Sequence, residues 1–217
     1  AMKRRFILHI GPTNSGKTYQ SVEALKRAKN GVYLGPLRLM ALEIFDKLNA
    51  GDCPCTLLTG EEFEPMPGAK VTASTIELCD YGAKYEVAVI DEAQMIGDRS
   101  RGANWTKAIL MVNAEVVHIC MAPEAEDIIV KLLSDIAAPF EIIRHERLTP
   151  LSYSGSISSL KQIRDGDALI AFSRRNVLSL AAEMERIGKK VSVIYGALPP
   201  AARREEVRKF ESKETTV

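Results

Sequence analysis

The sequence predicts a doubly wound α/β fold with a mainly parallel sheet, and three features of the chain predict it. Short apolar runs rich in strand formers alternate with segments of helical periodicity along most of the 217 residues. The first such run leads into a glycine-bounded loop and then directly into a helix. The run at 86–90 is apolar on both faces, as a central parallel strand is, and it ends in two carboxylates.

Phe6-Ile7-Leu8-His9-Ile10 reads as the first strand, and the helix starting near Lys17 carries Val22, Leu25 and Ala28 on one face. A strand follows at 31–35. Pro36 then opens a helix on which Leu39, Leu42 and Phe45 share a face until Gly51 ends it. Short strands are expected at 55–59 and 71–73, and the central one at 86–90. A helix at 103–112, a strand at 116–120, a helix at 123–136 and a strand at 140–143 complete the first unit. Residues 148–156, rich in Pro, Ser and Gly, break the alternation and read as a linker between domains at 1–147 and 157–217. The second domain has an expected strand at 168–172, a helix after Arg174, a strand at 191–195, a helix from Pro199 to about 210, and a strand-like start at 214–217. So few strands make a poor independent α/β domain, so this unit is expected to be an incomplete lobe, shortened at its C-terminal end.

Composition sets limits on function. With 46% hydrophobic residues the chain can bury a normal core, and its formal net charge of +1 excludes a purely electrostatic nucleic-acid binder. The apolar run after Lys3-Arg4-Arg5 is too short for a signal peptide, no stretch approaches membrane-spanning length, and no membrane partner is expected. Cys53, Cys55, Cys79 and Cys120 form no C-x-x-C pair and stand far in sequence from His9, His118 and His145. No structural zinc is expected, and reduced thiols point to a cytosolic type of compartment.

Gly11-Pro12-Thr13-Asn14-Ser15-Gly16-Lys17-Thr18 spells the phosphate-binding loop G-x-x-x-x-G-K-[ST] in full. Between a strand and a helix N-terminus, its backbone N–H groups and the helix dipole converge on a polyphosphate. Lys17 is placed to reach the β- and γ-phosphates, and Thr18 to put its hydroxyl on Mg²⁺. In Val87-Ala88-Val89-Ile90-Asp91-Glu92-Ala93-Gln94 the carboxylates fall at the C-terminal end of the strand, the edge where open α/β sheets bind ligands. Asp91 is the candidate Mg²⁺ holder, Glu92 the group that orients or deprotonates the attacking water, and Gln94 the sensor of the γ-phosphate. Together the two motifs point to ATP and Mg²⁺ as cofactors of an NTP-hydrolysing or phosphoryl-transferring site.

These motifs stand among further blocks in a fixed order: Tyr-Leu-Gly-Pro-Leu-Arg-Leu-Met-Ala-Leu-Glu-Ile-Phe-Asp-Lys at 33–47, Leu-Thr-Gly-Glu-Glu at 58–62, Arg-Gly-Ala-Asn-Trp-Thr at 101–106 and Val-Ile-Tyr-Gly-Ala-Leu-Pro-Pro at 193–200. Taken together they closely resemble the superfamily-two RNA helicases of the suppressor-of-Var-three family, through nearly the whole chain. The resemblance implies a two-lobed RecA-like motor that hydrolyses ATP on single-stranded RNA or DNA. It also implies a ribonuclease partner for the full-length protein. It assigns Pro36, Leu37, Arg38, Thr59, Gly60, Ser74 and Thr75 to the strand path in the first lobe. Ser173, Arg174, Tyr195 and Gly196 are its counterparts in the second. Loop N–H groups and hydroxyls grip phosphates without reading bases, as a sequence-tolerant motor requires, although any one of these residues is equally well explained as a loop or cap. Arg99, Arg101, Arg203 and Arg204 read as solvated surface charges, and Trp105 as core. A bacterial cytoplasm is the expected compartment, with the mitochondrial matrix as the alternative.

Two departures stand out. Many helicases carry Ser-Ala-Thr where this chain has Cys120-Met121-Ala122-Pro123, so no hydroxyl is available there to couple hydrolysis to strand movement. The later blocks, including the one that supplies arginine fingers, would fall beyond Val217, so the chain by itself is expected to be a poor ATP hydrolase. Two other readings stay open. A type II thymidine kinase shares the loop and the Asp-Glu-Ala-Gln motif but normally has a four-cysteine zinc lasso. A nucleotide-dependent nucleic-acid-binding module would grip its ligands without productive turnover.

Overall fold

The computed structural model describes residues 3–13, 15–150 and 152–217. The chain divides into two compact units, Ala1–Leu151 and Ser152–Val217. The first unit runs β1 (Arg5–Ile10), α1 (Lys17–Arg27), β2 (Gly31–Gly35), α2 (Arg38–Ala50), β3 (Cys55–Leu58), β4 (Phe63–Glu64), β5 (Val71–Thr75), β6 (Tyr85–Ile90), α3 (Gly102–Met111), β7 (Ala114–Met121), α4 (Glu126–Asp135) and β8 (Phe140–Arg144). Short 3₁₀ turns at Ile76–Leu78, Ala93–Gly97 and Pro123–Ala125 join some of them.

One eight-stranded sheet results, in the order β4-β3-β5-β2-β6-β7-β1-β8. Every pairing is parallel except that of the short edge strand β4 with β3. Side chains alternate across it with the period of two that strands impose. Phe6, Leu8 and Ile10 of β1, Val32 and Leu34 of β2 and Ala88 and Ile90 of β6 pack with Trp105 and Ile109 of α3 and Ile129 and Leu133 of α4. On the opposite face Tyr33, Val87, Val89 and Cys120 pack with Val22 and Leu25 of α1 and Leu42, Phe45 and Leu48 of α2. Helices cover both faces, so the inner strands are mainly apolar, with buried polar exceptions such as His9 of β1 and His118 of β7.

The second unit holds α5 (Arg174–Arg186), α6 (Pro200–Glu211) and a 3₁₀ turn at Leu160–Gln162 around a small core of Ile163, Met184 and Val217. The strands expected at 168–172, 191–195 and 214–217 are not formed among the described residues. Their backbone groups are bonded singly instead of in a ladder. Ser192 N–H donates to the Val217 carbonyl at 2.9 Å, Thr216 N–H to Lys190 at 2.8 Å, and Val193 N–H to the Glu206 carboxylate at 2.8 Å. Ile170 and Phe172 are 79% and 99% exposed.

Candidate functional site

The loop after β1 and the loop after β6 both lie at the carboxyl edge of the sheet, separated by β7 alone. Gly16 sits at the N-terminus of α1 with φ 81°, the left-handed region that glycine enters without cost. Gly11 has no room for a side chain: a Cβ there would stand 2.6 Å from the His145 carbonyl oxygen and 2.7 Å from Ser15 Oγ. The start of the loop is therefore pressed against the segment after β8 and against Ser15. Asn14 lies outside the described residues, Thr13 is exposed and Pro12 half-buried.

Lys17 is buried at 6% exposure, and its ammonium donates to the Gly11 and Pro12 carbonyls at 2.9 and 3.1 Å. Ser15 Oγ is buried with no hydrogen-bond partner among the described residues. A buried, unpartnered hydroxyl just before a helix N-terminus fits a phosphate oxygen. Thr18 Oγ1 donates to Asp91 Oδ1 at 3.3 Å, which brings a hydroxyl and a carboxylate oxygen to one point. Hard oxygen donors of this kind suit Mg²⁺.

Asp91 is fully buried. Its Oδ2 accepts from the Tyr33 hydroxyl at 2.7 Å and its Oδ1 also accepts from the Glu92 N–H at 2.9 Å. Burial raises its carboxyl above the usual range, against the pull of the Tyr33 bond. Burial likewise lifts the Tyr33 phenol well above its ordinary value, with the Asp91 charge adding to it. Glu92 adopts φ 50° and ψ 46°, left-handed backbone that a residue with a Cβ enters at a cost. Its carboxylate accepts from Gln94 Nε2, and Gln94 Oε1 accepts from the Ala122 N–H at 3.2 Å.

The strand-path candidates of the first unit share this edge. Ser74 pairs in register with Leu34 of β2 and Leu58 of β3, so Pro36–Arg38, Thr59–Gly60 and Ser74–Thr75 cap three adjacent strands. Leu37 is 55% exposed and Gly60 open, while Arg38 is paired with Glu61. Thr59 and Ser74 are buried. The Thr59 hydroxyl accepts from the Glu61 and Glu62 N–H groups, and Ser74 Oγ donates to the Thr75 carbonyl. In the second unit Ser173 caps α5 by accepting from Asn176 N–H at 3.2 Å, and the Arg174 guanidinium lies 5.0 Å from the Tyr195 ring centre.

Two expected surface charges are not free. Arg203 is buried, donating to the Gly196 and Leu198 carbonyls at 3.0 and 2.9 Å, because the turn before α6 leaves those carbonyls needing donors. Arg101 donates from Nη2 to the Pro36 carbonyl at 2.7 Å and pairs with Glu77, while Trp105 is fully buried as expected. Sequence spacing also hid the meeting of all three histidines. His9 Nδ1 stands 3.0 Å from His145 Nε2, and His9 Nε2 stands 2.9 Å from His118 Nδ1. The only signal available was that each falls on or just after a strand, and adjacency of β7, β1 and β8 could not be read from that.

With this geometry in view, the family model described as the DEXQ-box helicase domain of Suv3 matches residues 1–145. The chain belongs to the Suv3 family of DEXQ-box helicases. The mitochondrial ATP-dependent RNA helicase SUPV3L1 of Homo sapiens is 44% identical over 215 residues, covering 97% of this chain and 27% of that protein. The mitochondrial DExH-box ATP-dependent RNA helicase DExH18 of Arabidopsis thaliana is 42% identical over 217 residues, covering 99% of this chain and 28% of the relative. The chain thus spans little more than a quarter of the length of these two relatives. Among solved structures, S. cerevisiae Dbp5 bound to RNA and ADP BeF3 superposes with a TM-score of 0.59 at 13% identity, over 96% of this chain and 64% of that one. A Methanococcus jannaschii DEAD box protein gives 0.50 at 14% identity, over 97% and 67%. At such identities the likeness bears on fold alone, and that fold is the RecA-like one of helicase domains. The family assignment leaves the thymidine kinase reading without support. It also corrects the expected compartment: these relatives from animals and plants, and the fungal one from Candida albicans, are mitochondrial proteins, against a bacterial cytoplasm.

Proposed function

We propose that this chain supplies the nucleotide-binding lobe and part of a second lobe of a larger ATP-dependent RNA helicase. One observation carries the reading. The phosphate-loop residues, the Asp91–Glu92 pair and the strand-path candidates of the first unit stand along a single edge of one sheet, nucleotide groups over β1 and β6 and strand-path groups over β2, β5 and β3. Backbone N–H groups at 13–18 and the Lys17 ammonium, released from the Gly11 and Pro12 carbonyls, hold the phosphates of ATP, and Thr18 and Asp91 would hold Mg²⁺. The metal, when bound, neutralises charge on the phosphate oxygens. Glu92 takes the proton of the attacking water, and Gln94 keeps the Glu92 carboxylate oriented through its amide. Leu37, Arg38 and Gly60 are open to grip the backbone of single-stranded RNA, while the buried Pro36, Thr59, Ser74 and Thr75 shape the loop ends that carry them, and Ser173, Arg174, Tyr195 and Gly196 are the gripping groups of the second unit. The compartment of the relatives supports a mitochondrial site of action, and a ribonuclease is the partner class for the whole protein.

The test is ATP hydrolysis by the full-length parent protein with and without single-stranded RNA. RNA should stimulate turnover, and Glu92→Gln should lower it by ~10²–10⁴-fold, the usual worth of a general base, while ATP stays bound. Equal turnover by Glu92→Gln and the parent would remove Glu92 from the chemistry.

A further inference from the structure

We propose that Arg101 is a positioning residue through which RNA on the strand path acts on the hydrolysis site, a role that rests on the helicase reading above. The residue bridges three segments. Its Nε and Nη2 both reach Glu77 Oε1, at 2.8 and 2.7 Å, and Nη2 also donates to the Pro36 carbonyl at 2.7 Å. Pro36 opens the candidate strand-path block after β2, and Glu77 stands two residues beyond Thr75, in the turn that continues β5. Behind the guanidinium, 5.5 Å away, lies the indole of Trp105. That indole is fully buried and donates from Nε1 to the Asp91 carbonyl at 3.0 Å. One side chain and one ring therefore span the distance from the strand path to the backbone of the acidic motif.

The mount of this strut is stiff. Asp98 Oδ1 accepts from the Arg101 N–H at 2.8 Å and from the Ser100 N–H at 2.9 Å, which closes the loop that carries Arg101. Gly102 lets α3 pack directly on the preceding turn: a Cβ there would stand 2.4 Å from the Ile96 carbonyl oxygen. A shift of Pro36 or of the segment bearing Glu77, such as a gripped RNA backbone imposes, must move the guanidinium or break its bonds. The packed Trp105 passes that displacement to Asp91, and Glu92 follows it in the chain. Lysine cannot replace the fork: one ammonium keeps the charge but neither the flat face against Trp105 nor the paired N–H groups.

The experiment uses the full-length parent protein with Arg101→Ala and Arg101→Lys. The quantities are the Kd for a non-hydrolysable ATP analogue, the Kd for a single-stranded oligo-uridine RNA with and without that analogue, and RNA-stimulated turnover. Coupling between two ligand sites commonly falls at about 5–150-fold, and the unsubstituted protein should show a factor in that range. Both variants should bring the factor to about twofold or less, with each separate Kd within about threefold of the parent and RNA stimulation lost. A full coupling factor in Arg101→Lys would show that the charge alone suffices and would overturn the proposal. So would loss of ATP affinity together with a lowered melting temperature, the mark of a purely structural residue. Failure of the unsubstituted protein to bind ATP, or to respond to RNA, would sink the helicase reading and this inference with it.

Discussion

Gln94 Oε1 accepts a hydrogen bond from the backbone N–H of Ala122 at 3.2 Å, and so ties the acidic motif to the segment that follows β7. The sequence places no hydroxyl in this segment to couple hydrolysis to strand movement. A main-chain donor does the joining instead, and no side chain at 120–123 is required for it. Gln94→Ala should lower RNA-stimulated turnover about 10–100-fold, the usual cost of losing an orienting partner, without loss of ATP affinity. Ala122→Pro removes the same N–H at a residue whose φ of −73° already suits proline. If the bond matters, the two substitutions together cost no more than either alone. Additive losses in steady-state turnover would show that they act separately.

Asp91→Asn separates stability from function. The native carboxylate is buried, and burial disfavours its charged form. An asparagine can still accept from Thr18 and the Glu92 N–H while carrying no charge. The melting temperature of the nucleotide-free protein should rise by a few degrees, while Mg²⁺-dependent ATP affinity should fall at least ~10-fold, as loss of a metal ligand does. Calorimetric scans with and without Mg-ATP check both; a lower melting temperature for the free variant would contradict the account of the buried charge.

The cluster of three histidines makes the fold acid-sensitive. Burial pushes His9 and His118 down to about 4, with neighbouring His118 and His145 adding to the shift at His9 and Arg5 to that at His118. Burial and the Lys17 charge lower His145 as well. The unfolded chain binds protons at an ordinary histidine pKa, so it takes up more protons than the native state between about pH 6.5 and 4. Stability is thus fully present above pH 6.5 and is lost as pH falls through that window, by roughly 3 kcal/mol for a ring shifted this far. His9→Gln should make the fall of the urea midpoint between pH 6.5 and 4 shallower, with His118 carrying what remains. An unchanged slope in the variant would mean that other groups carry the acid sensitivity.

Much of the first unit was legible because its signals are local. The phosphate loop and Asp91–Glu92 each lie within a few residues of the strand that aims them, and alternation of Phe6, Leu8 and Ile10 with Ile7 and His9 shows directly in the chain. What stayed hidden depends on partners far away in sequence. Arg101 meets a carbonyl 65 residues earlier, and His9 meets rings 109 and 136 residues later. Arg203 looked like a surface charge because nothing local tells that two turn carbonyls need a donor. In the second unit the apolar runs at 168–172 and 191–195 carried strand propensity, but a strand also requires a neighbour to pair with, and propensity says nothing about that.

The central claim is that the loop at 11–18 binds the phosphates of ATP through Lys17. Lys17→Ala also strips the Gly11 and Pro12 carbonyls of their donor, so a fold loss of ~1–3 kcal/mol is expected with it and is to be checked by circular dichroism. The decisive measurement is isothermal titration of Mg-ATP into residues 1–217 and into folded Lys17→Ala. Saturable binding by the first and none detectable by the second is the expected result. Binding of equal affinity by both would contradict it.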